Sequence, residues 1–277
     1  MKRVLVVEDD ASIRLLVCKF LESAGIASVC ATDGTEALDR ISRESFDLAL
    51  LDLGLPGVHG LEILKRLQEE GSRLKVIVMT GDDAPETILQ AVRRRACRYV
   101  LKPLDMKSLM DVVQDELADE NPHEPIEVVS ALPEWIELLV PCDLTSADRI
   151  QSVMRQMEAD LPEHVRDSIG RAFRELLMNA MEWGGKLNPS HKVRISYLRA
   201  RRMLMYRIAD PGPGFNLESL PHSALGNPQD RPLEHFEVRR ELGLRPGGFG
   251  ILLAQSLVDE LIYNEAHNEV VLVKYLD

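Results

Sequence analysis

The sequence predicts an α/β chain of two domains, the first built on a doubly wound sheet of five parallel strands. Three observations carry this. Short apolar runs alternate with segments of helical period five times in the first 118 residues. A polar stretch holding Pro122 and Pro125 then interrupts the pattern, and a different order follows it, with two helices, a hairpin and two closing strands. The length of 277 residues allows about two domains, each able to bury its own core. We place the boundary near residue 122, giving domains 1–121 and 122–277.

The first strand is the run Val4-Leu-Val-Val7, apolar on both faces as a central parallel strand must be, and it ends in Glu8-Asp9-Asp10. Ile13, Leu15, Leu16, Phe20 and Leu21 then recur at helical spacing, and Gly25 supplies a stop. The alternation continues with strand 27–31, helix 34–43, strand 46–51, helix 59–70, strand 74–79, helix 84–95, strand 97–101 and helix 105–117. Crossovers of this regularity predict helices on both faces of the sheet.

In such a sheet the ligand site lies beyond the carboxyl ends of the strands. Those ends carry Glu8 and Asp9, then Asp52, Thr80 and Lys102. Carboxylates gathered there repel one another, and a hard divalent cation with oxygen ligands, magnesium, relieves the repulsion while keeping them ionised. Asp52 could then attack phosphorus to form an aspartyl phosphate, with Lys102 offsetting its charge and Thr80 donating a hydroxyl. This half closely resembles the response-regulator receiver domains of two-component signalling, which have a flavodoxin-like fold. The resemblance implies Asp52 as phosphoacceptor, Glu8 and Asp9 as the main metal carboxylates, the carbonyl of Gly54 as a further ligand, Thr80 as switch hydroxyl, Lys102 as phosphate partner and Tyr99 as the aromatic that moves with Thr80. Asp10 is a third acid nearby. Gly54 departs from the pattern, since a larger side chain is usual there.

Beyond the linker the sequence predicts a strand at 136–140 and helices over 146–160 and 163–183, with Pro162 suited to a first helical turn. Glu175 and Asn179 fall four apart on one face of the second helix. Residues 191–199 and 202–209 alternate as a hairpin whose second strand runs into Asp210-Pro-Gly-Pro-Gly214. Residues 216–246 hold four prolines and little strand pattern, which suggests a lid with a short helix at 233–242. Gly247-Gly-Phe-Gly250 opens a helix over 251–261, where glycine amides at a helix start suit a polyphosphate, and Arg245 is placed to reach it. Strands near 260–264 and 269–276, turning at His267-Asn268, close the domain.

These blocks resemble, in order and spacing, the three boxes of the ATPase fold shared by histidine kinases, gyrase and the anti-sigma-factor serine kinases. The resemblance implies an α/β two-layer sandwich that binds ATP with Mg²⁺. Asn179 would hold the magnesium, Glu175 would act as general base, Asp210 would accept the adenine amino hydrogen, and Gly212 and Gly214 would let the backbone approach the nucleoside. Gly247, Gly248, Gly250 and Arg245 would take the phosphates. A histidine kinase would need a phosphoaccepting histidine on a dimerising hairpin, and His164, in a Val-Arg-Asp context, reads as a surface residue. The order of elements looks most like the anti-sigma-factor serine/threonine kinase branch, although Trp183-Gly184-Gly185 stands where that branch often has a histidine and a glycine.

The resulting expectation is a response regulator, phosphorylated on Asp52 by an upstream histidine kinase or phosphotransfer protein. Its ATP-binding output would phosphorylate a Ser or Thr of an antagonist protein or regulate a sigma factor by partner switching, and a homodimer fits this reading. The alternative is a nucleotide-gated binding module without kinase activity. A net charge of −12 disfavours a nucleic-acid partner. The amino terminus is too briefly apolar for a signal peptide or membrane span, so the expected location is cytoplasmic. Cys18, Cys30, Cys97 and Cys142 sit in apolar runs without C-x-x-C spacing, and are expected as buried small hydrophobes.

Overall fold

The computed structural model describes residues 2–82, 84–119, 124–132, 134–215 and 248–276. The chain divides into two compact units, Met1–His123 and Glu124–Asp277.

In the first unit the elements run β1 (Arg3–Val7), α1 (Ala11–Ser23), β2 (Ala27–Ala31), α2 (Gly34–Arg43), β3 (Leu48–Asp52), α3 (Gly60–Glu69), β4 (Lys75–Thr80), α4 (Pro85–Arg93), β5 (Arg98–Leu101) and α5 (Met106–Ala118). All strands are parallel, in the order β2-β1-β3-β4-β5. The sheet's apolar runs are explained by burial on both faces: every residue of β3 is buried. Val4, Val6, Leu48, Leu50, Ile77 and Met79 form one core layer with Val17 and Leu21 of α1 and Leu109 and Val113 of α5. The third strand starts at Leu48 rather than 46; at Asp47 the side chain, not the main-chain carbonyl, accepts the Arg3 amide at 2.7 Å, while the Asp47 amide still donates to the Arg3 carbonyl at 2.9 Å.

In the second unit come β6 (Glu127–Leu132), β7 (Trp135–Pro141), α6 (Leu144–Met157), α7 (Glu163–Asn179), a π-helical turn (Ala180–Gly184), β8 (Lys192–Ala200), β9 (Met203–Ala209), α8 (Gly250–Leu257), β10 (Glu260–Tyr263) and β11 (Glu269–Tyr275). Its antiparallel sheet has the order β10-β11-β9-β8-β7-β6 among the described residues. Alternate residues such as Ile195, Tyr197, Tyr206 and Ile208 are buried, and Phe173 of α7 meets Tyr206 at 4.8 Å between ring centroids.

Four features differ from the sequence reading. β6 was not anticipated: it is an edge strand whose pairing shifts between Val128 and Ser130 and which exposes Val129 and Leu132, so no clean period of two marks it. The helix over 163–183 is α-helical only to Asn179, and a π turn completes it. The helix expected to reach 261 stops at Leu257, because Leu261 pairs with Leu272 in the sheet. Cys97 and Cys142 are buried as expected, whereas Cys18 and Cys30 are only half-buried and face each other.

One buried acid makes the second unit's stability pH-dependent. Glu158 is 2% exposed and accepts a hydrogen bond from the Tyr206 hydroxyl at 2.5 Å. Burial pushes its carboxyl up to about 7 from an ordinary value of 4.5, against the pull of Tyr206 and nearby arginines. Because the folded value is the higher one, the neutral acid's contribution is full below about pH 4.5 and is lost as pH rises through about 7. Denaturant titrations should therefore show wild type losing on the order of 3 kcal/mol relative to Glu158→Gln across that window. Parallel pH profiles for the two proteins would contradict this.

Candidate functional site

The parallel register assembles the first site. Val7 pairs with Leu51, Asp52 with Met79 and Thr80 with Leu101, so Glu8, Asp52, Thr80 and Lys102 emerge at one edge of the sheet. Glu8 is fully buried, Asp52 is 5% exposed and Thr80 is 2% exposed. Lys102 Nζ donates to Asp52 Oδ2 at 2.6 Å and to Glu8 Oε1 at 2.9 Å, and lies 2.8 Å from Glu8 Oε2. Burial raises the Glu8 carboxyl above its ordinary range and the Asp52 charge adds to this, while Lys102 opposes it. Burial also pulls the Lys102 ammonium down, but its bonds to Asp52 and Glu8 outweigh that and hold it above its usual value.

The acids bear on a metal in different ways. Ligand atoms of Glu8, Asp9 and Asp52 all lie within 4.8 Å of one another, with Asp9 exposed. Glu8 Oε2 is buried without a well-directed hydrogen bond, its approach to Lys102 being a charge contact only. An oxygen-only donor set with an orphaned buried carboxylate oxygen fits a hard divalent cation. Asp10 instead caps α1, accepting from the amides of Ser12 at 2.7 Å and Ile13 at 3.0 Å. Those two amides, Ile13 foremost, hold its carboxyl below the ordinary range.

Gly54 donates its amide to Asp52 Oδ1 at 3.0 Å, and a Cβ there would stand 3.7 Å from that oxygen. The Thr80 hydroxyl accepts from the Asp82 amide at 3.1 Å, and the buried Tyr99 donates its hydroxyl to the Asp82 carbonyl at 2.5 Å. Both switch candidates thus converge on the main chain of one residue. Gly60 is a residue that sequence reasoning missed: a Cβ on it would lie 2.5 Å from the Asp52 carbonyl. Only a glycine lets α3 start so near the acceptor strand.

In the second unit, a cavity of about 390 Å³ is lined by Glu175, Asn179, Asp210, Gly214, Gly248 and Gly250, among others. Glu175 and Asn179 come from the last turns of α7, and the π turn follows at once. Asp210 ends β9. Its Oδ1 accepts the Gly212 amide at 2.7 Å, and burial raises the carboxyl above its ordinary range, against the bond from Gly212 and the charge of Lys186.

Close packing fixes this carboxylate. A Cβ at Gly184 would lie 2.0 Å from Asp210 Oδ1, and one at Gly212 would lie 2.8 Å from the same atom. Gly214 has φ +85° and a Cβ there would strike the Ala266 carbonyl at 1.7 Å. Gly248 has φ +107°, and a Cβ at Gly250 would lie 2.5 Å from Glu175 Oε2. Gly247 and Arg245 lie outside the described residues, as does the segment read as a lid.

The turn between β10 and β11 also holds the Asp210 loop. Asn268 accepts the Asp210 amide on its carbonyl at 2.9 Å and donates its side-chain amide to the Gly212 carbonyl at 3.0 Å. Asn264 in turn accepts from the Asn268 and Glu269 amides and donates to Asn268 Oδ1. Gly184 appeared in the sequence only as a departure from a motif, and Asn264 and Asn268 carried no signal beyond a turn.

The comparisons with known proteins follow the same division. Residues 4–114 match the response regulator receiver domain and residues 140–274 match the histidine kinase-like ATPase domain. The chain is 33% identical over 116 residues to sporulation initiation phosphotransferase F of Bacillus subtilis, covering 42% of this chain and 94% of that protein. It is 28% identical over 183 residues to the DNA-binding response regulator MtrA of Mycolicibacterium paratuberculosis, covering 66% of this chain and 80% of that one. A CheY-like receiver domain from Methanospirillum hungatei superposes at TM-score 0.41 with 31% identity, over 42% of this chain and 94% of its own. No helix among the described residues is long and apolar enough to cross a membrane. With the acid-lined sheet edge in its first unit and the glycine-framed cavity in its second, the chain belongs to the response regulators, its receiver domain followed by a histidine kinase-like ATPase domain.

Proposed function

We propose that this is a cytoplasmic response regulator whose output is an ATP-dependent protein serine/threonine kinase of the anti-sigma-factor type. The receiver, 1–121, takes a phosphoryl group from an upstream histidine kinase or phosphotransfer protein. An Asp52 oxygen attacks phosphorus as the bond to the donor nitrogen breaks. Glu8, Asp9, Asp52 and the Gly54 carbonyl would hold Mg²⁺, which when bound neutralises charge on the phosphoryl oxygens. Lys102 leaves Asp52 for those oxygens, and Thr80 gives up its bond from the Asp82 amide to donate to them. Tyr99 shares Asp82 as its partner, so the two side chains respond together.

The output reading rests on one observation: Glu175, Asn179 and a close-packed Asp210 line the same cavity. In the domain 122–277, Asp210 accepts the adenine amino hydrogen through the edge not bonded to Gly212. Asn179 would hold the nucleotide's Mg²⁺, and Gly212, Gly214, Gly247, Gly248, Gly250 and Arg245 follow the sugar and phosphates. Glu175 takes the proton of a Ser or Thr hydroxyl as its oxygen attacks the terminal phosphorus of ATP and ADP departs. The protein substrate is a small antagonist protein, and the output phosphorylates it or regulates a sigma factor by partner switching.

Two outcomes test this. Gly184→Ala should push the Asp210 carboxylate aside and weaken binding of a fluorescent ATP analogue at least tenfold, about 1.4 kcal/mol, with unchanged circular dichroism. Unaltered affinity would remove Asp210 from adenine recognition. Glu175→Ala should keep ATP affinity within about threefold and lower transfer of labelled phosphate to Ser/Thr-containing partner proteins by about 100-fold or more. If wild type binds ATP and labels no partner, the nucleotide-gated binding module replaces the kinase.

A further inference from the structure

Cys18 of α1 and Cys30 of β2 are unused by either phosphate chemistry, yet their Sγ atoms stand 2.8 Å apart. Both are half-buried, and both pack at the margin of the core layer formed by Val17, Leu21, Val4 and Val6. A disulfide bond is about 2.05 Å long, so the sulfurs need to close by less than about 1 Å to join. Cys97 and Cys142 differ on each count: they are buried, and Cys97 donates its thiol to the Val76 carbonyl at 3.0 Å.

The pair's surroundings favour oxidation over metal binding. Arg14 and Arg40 are the cations that act on Cys30, and their charge would repel a metal ion, although burial and the Cys18 sulfur outweigh their pull on the thiol. No third soft ligand completes a site, since the acid cluster among the described residues comprises Glu8, Asp9 and Asp52 alone.

We propose that Cys18 and Cys30 are an oxidation site of the receiver domain, a dithiol that a peroxide closes into an intramolecular disulfide. The Cys18 sulfur attacks one peroxide oxygen, the O–O bond breaks, and a sulfenic acid forms on Cys18 with release of one water. The Cys30 sulfur then attacks the Cys18 sulfur, its proton leaves with the displaced hydroxide as a second water, and the disulfide remains. Two electrons pass from the two thiols to the peroxide. A dithiol reductant reverses the step by exchange. Burial and the neighbouring sulfur push the Cys30 thiol up to about 12, which keeps it protonated and makes it the poorer first nucleophile of the two. The bond would tie α1 to the outer strand of the sheet. Through Arg14, which donates to the carbonyls of Glu8 at 2.6 Å and Asp9 at 3.1 Å, α1 also grips the acid cluster.

The test uses the full, reduced chain treated with an equivalent of hydrogen peroxide, blocked with N-ethylmaleimide and digested without reductant. Mass spectrometry should find one cross-linked species joining the Cys18 and Cys30 peptides, lighter by two hydrogens. Cys97 and Cys142 should take up label only after denaturation. In Cys30→Ser, Cys18 should stop at a sulfenic acid trapped by dimedone. Hydrogen exchange across residues 11–31 should slow in the oxidised wild type and return after dithiothreitol. Recovery of Cys18 and Cys30 as separately alkylated peptides from the folded, peroxide-treated protein would overturn the proposal, and so would a cross-link formed only between chains.

Discussion

The receiver half depends on a balance of buried charge. Glu8 and Asp52 are taken out of water at the end of adjacent strands, where their repulsion and desolvation oppose folding, and the Lys102 ammonium set between them supplies the compensation. Breaking such a cluster by removing one partner leaves an uncompensated charge, so the three side chains stand or fall together. The arrangement explains why the strands are so apolar. Only a sheet buried on both faces holds three backbones in a register that brings side chains from residues far apart in sequence to one point. It also leaves Lys102 bound to two carboxylates rather than to fixed neutral groups, so its partners are ones that another anion could replace.

The second half solves a similar problem with steric means. Among the described residues no lysine is bonded to Asp210. Its position is set by what cannot be there: side chains at Gly184, Gly212 and Gly214, each of which would intrude on the loop. The Asn268 turn closes the loop from the other side. A carboxylate partly desolvated in this way gives one oxygen to the Gly212 amide, and Asp210 lines the cavity.

Much of this was legible in the sequence because the informative residues are local in pattern. Five apolar runs, four of them leading into Glu8, Asp52, Thr80 and Lys102, state both the sheet and the edge where those residues gather, since parallel pairing brings strand ends into line. The glycines of the second half were legible as a motif. What escaped has physical reasons. β6 is an edge strand with an irregular register, so its burial pattern carries no period. The π turn after Asn179 carries no sequence mark, and it sets Gly184 against Asp210, a residue distant in the chain. Gly60, Gly184 and Asn268 act on residues far away in the chain, a kind of contact that no local pattern encodes. Cys18 and Cys30 looked like ordinary core residues because their pairing exists only across the α1–β2 contact.

The charge cluster is most directly tested by asking whether Asp52 accepts a phosphoryl group. Incubation with acetyl phosphate and Mg²⁺, followed by intact mass measurement, should add one phosphoryl group to wild type. The adduct should be labile to hydroxylamine, as an acyl phosphate is, and absent from Asp52→Asn and from magnesium-free samples. Undiminished phosphorylation of Asp52→Asn, or none at all in a folded wild-type protein, would contradict the account.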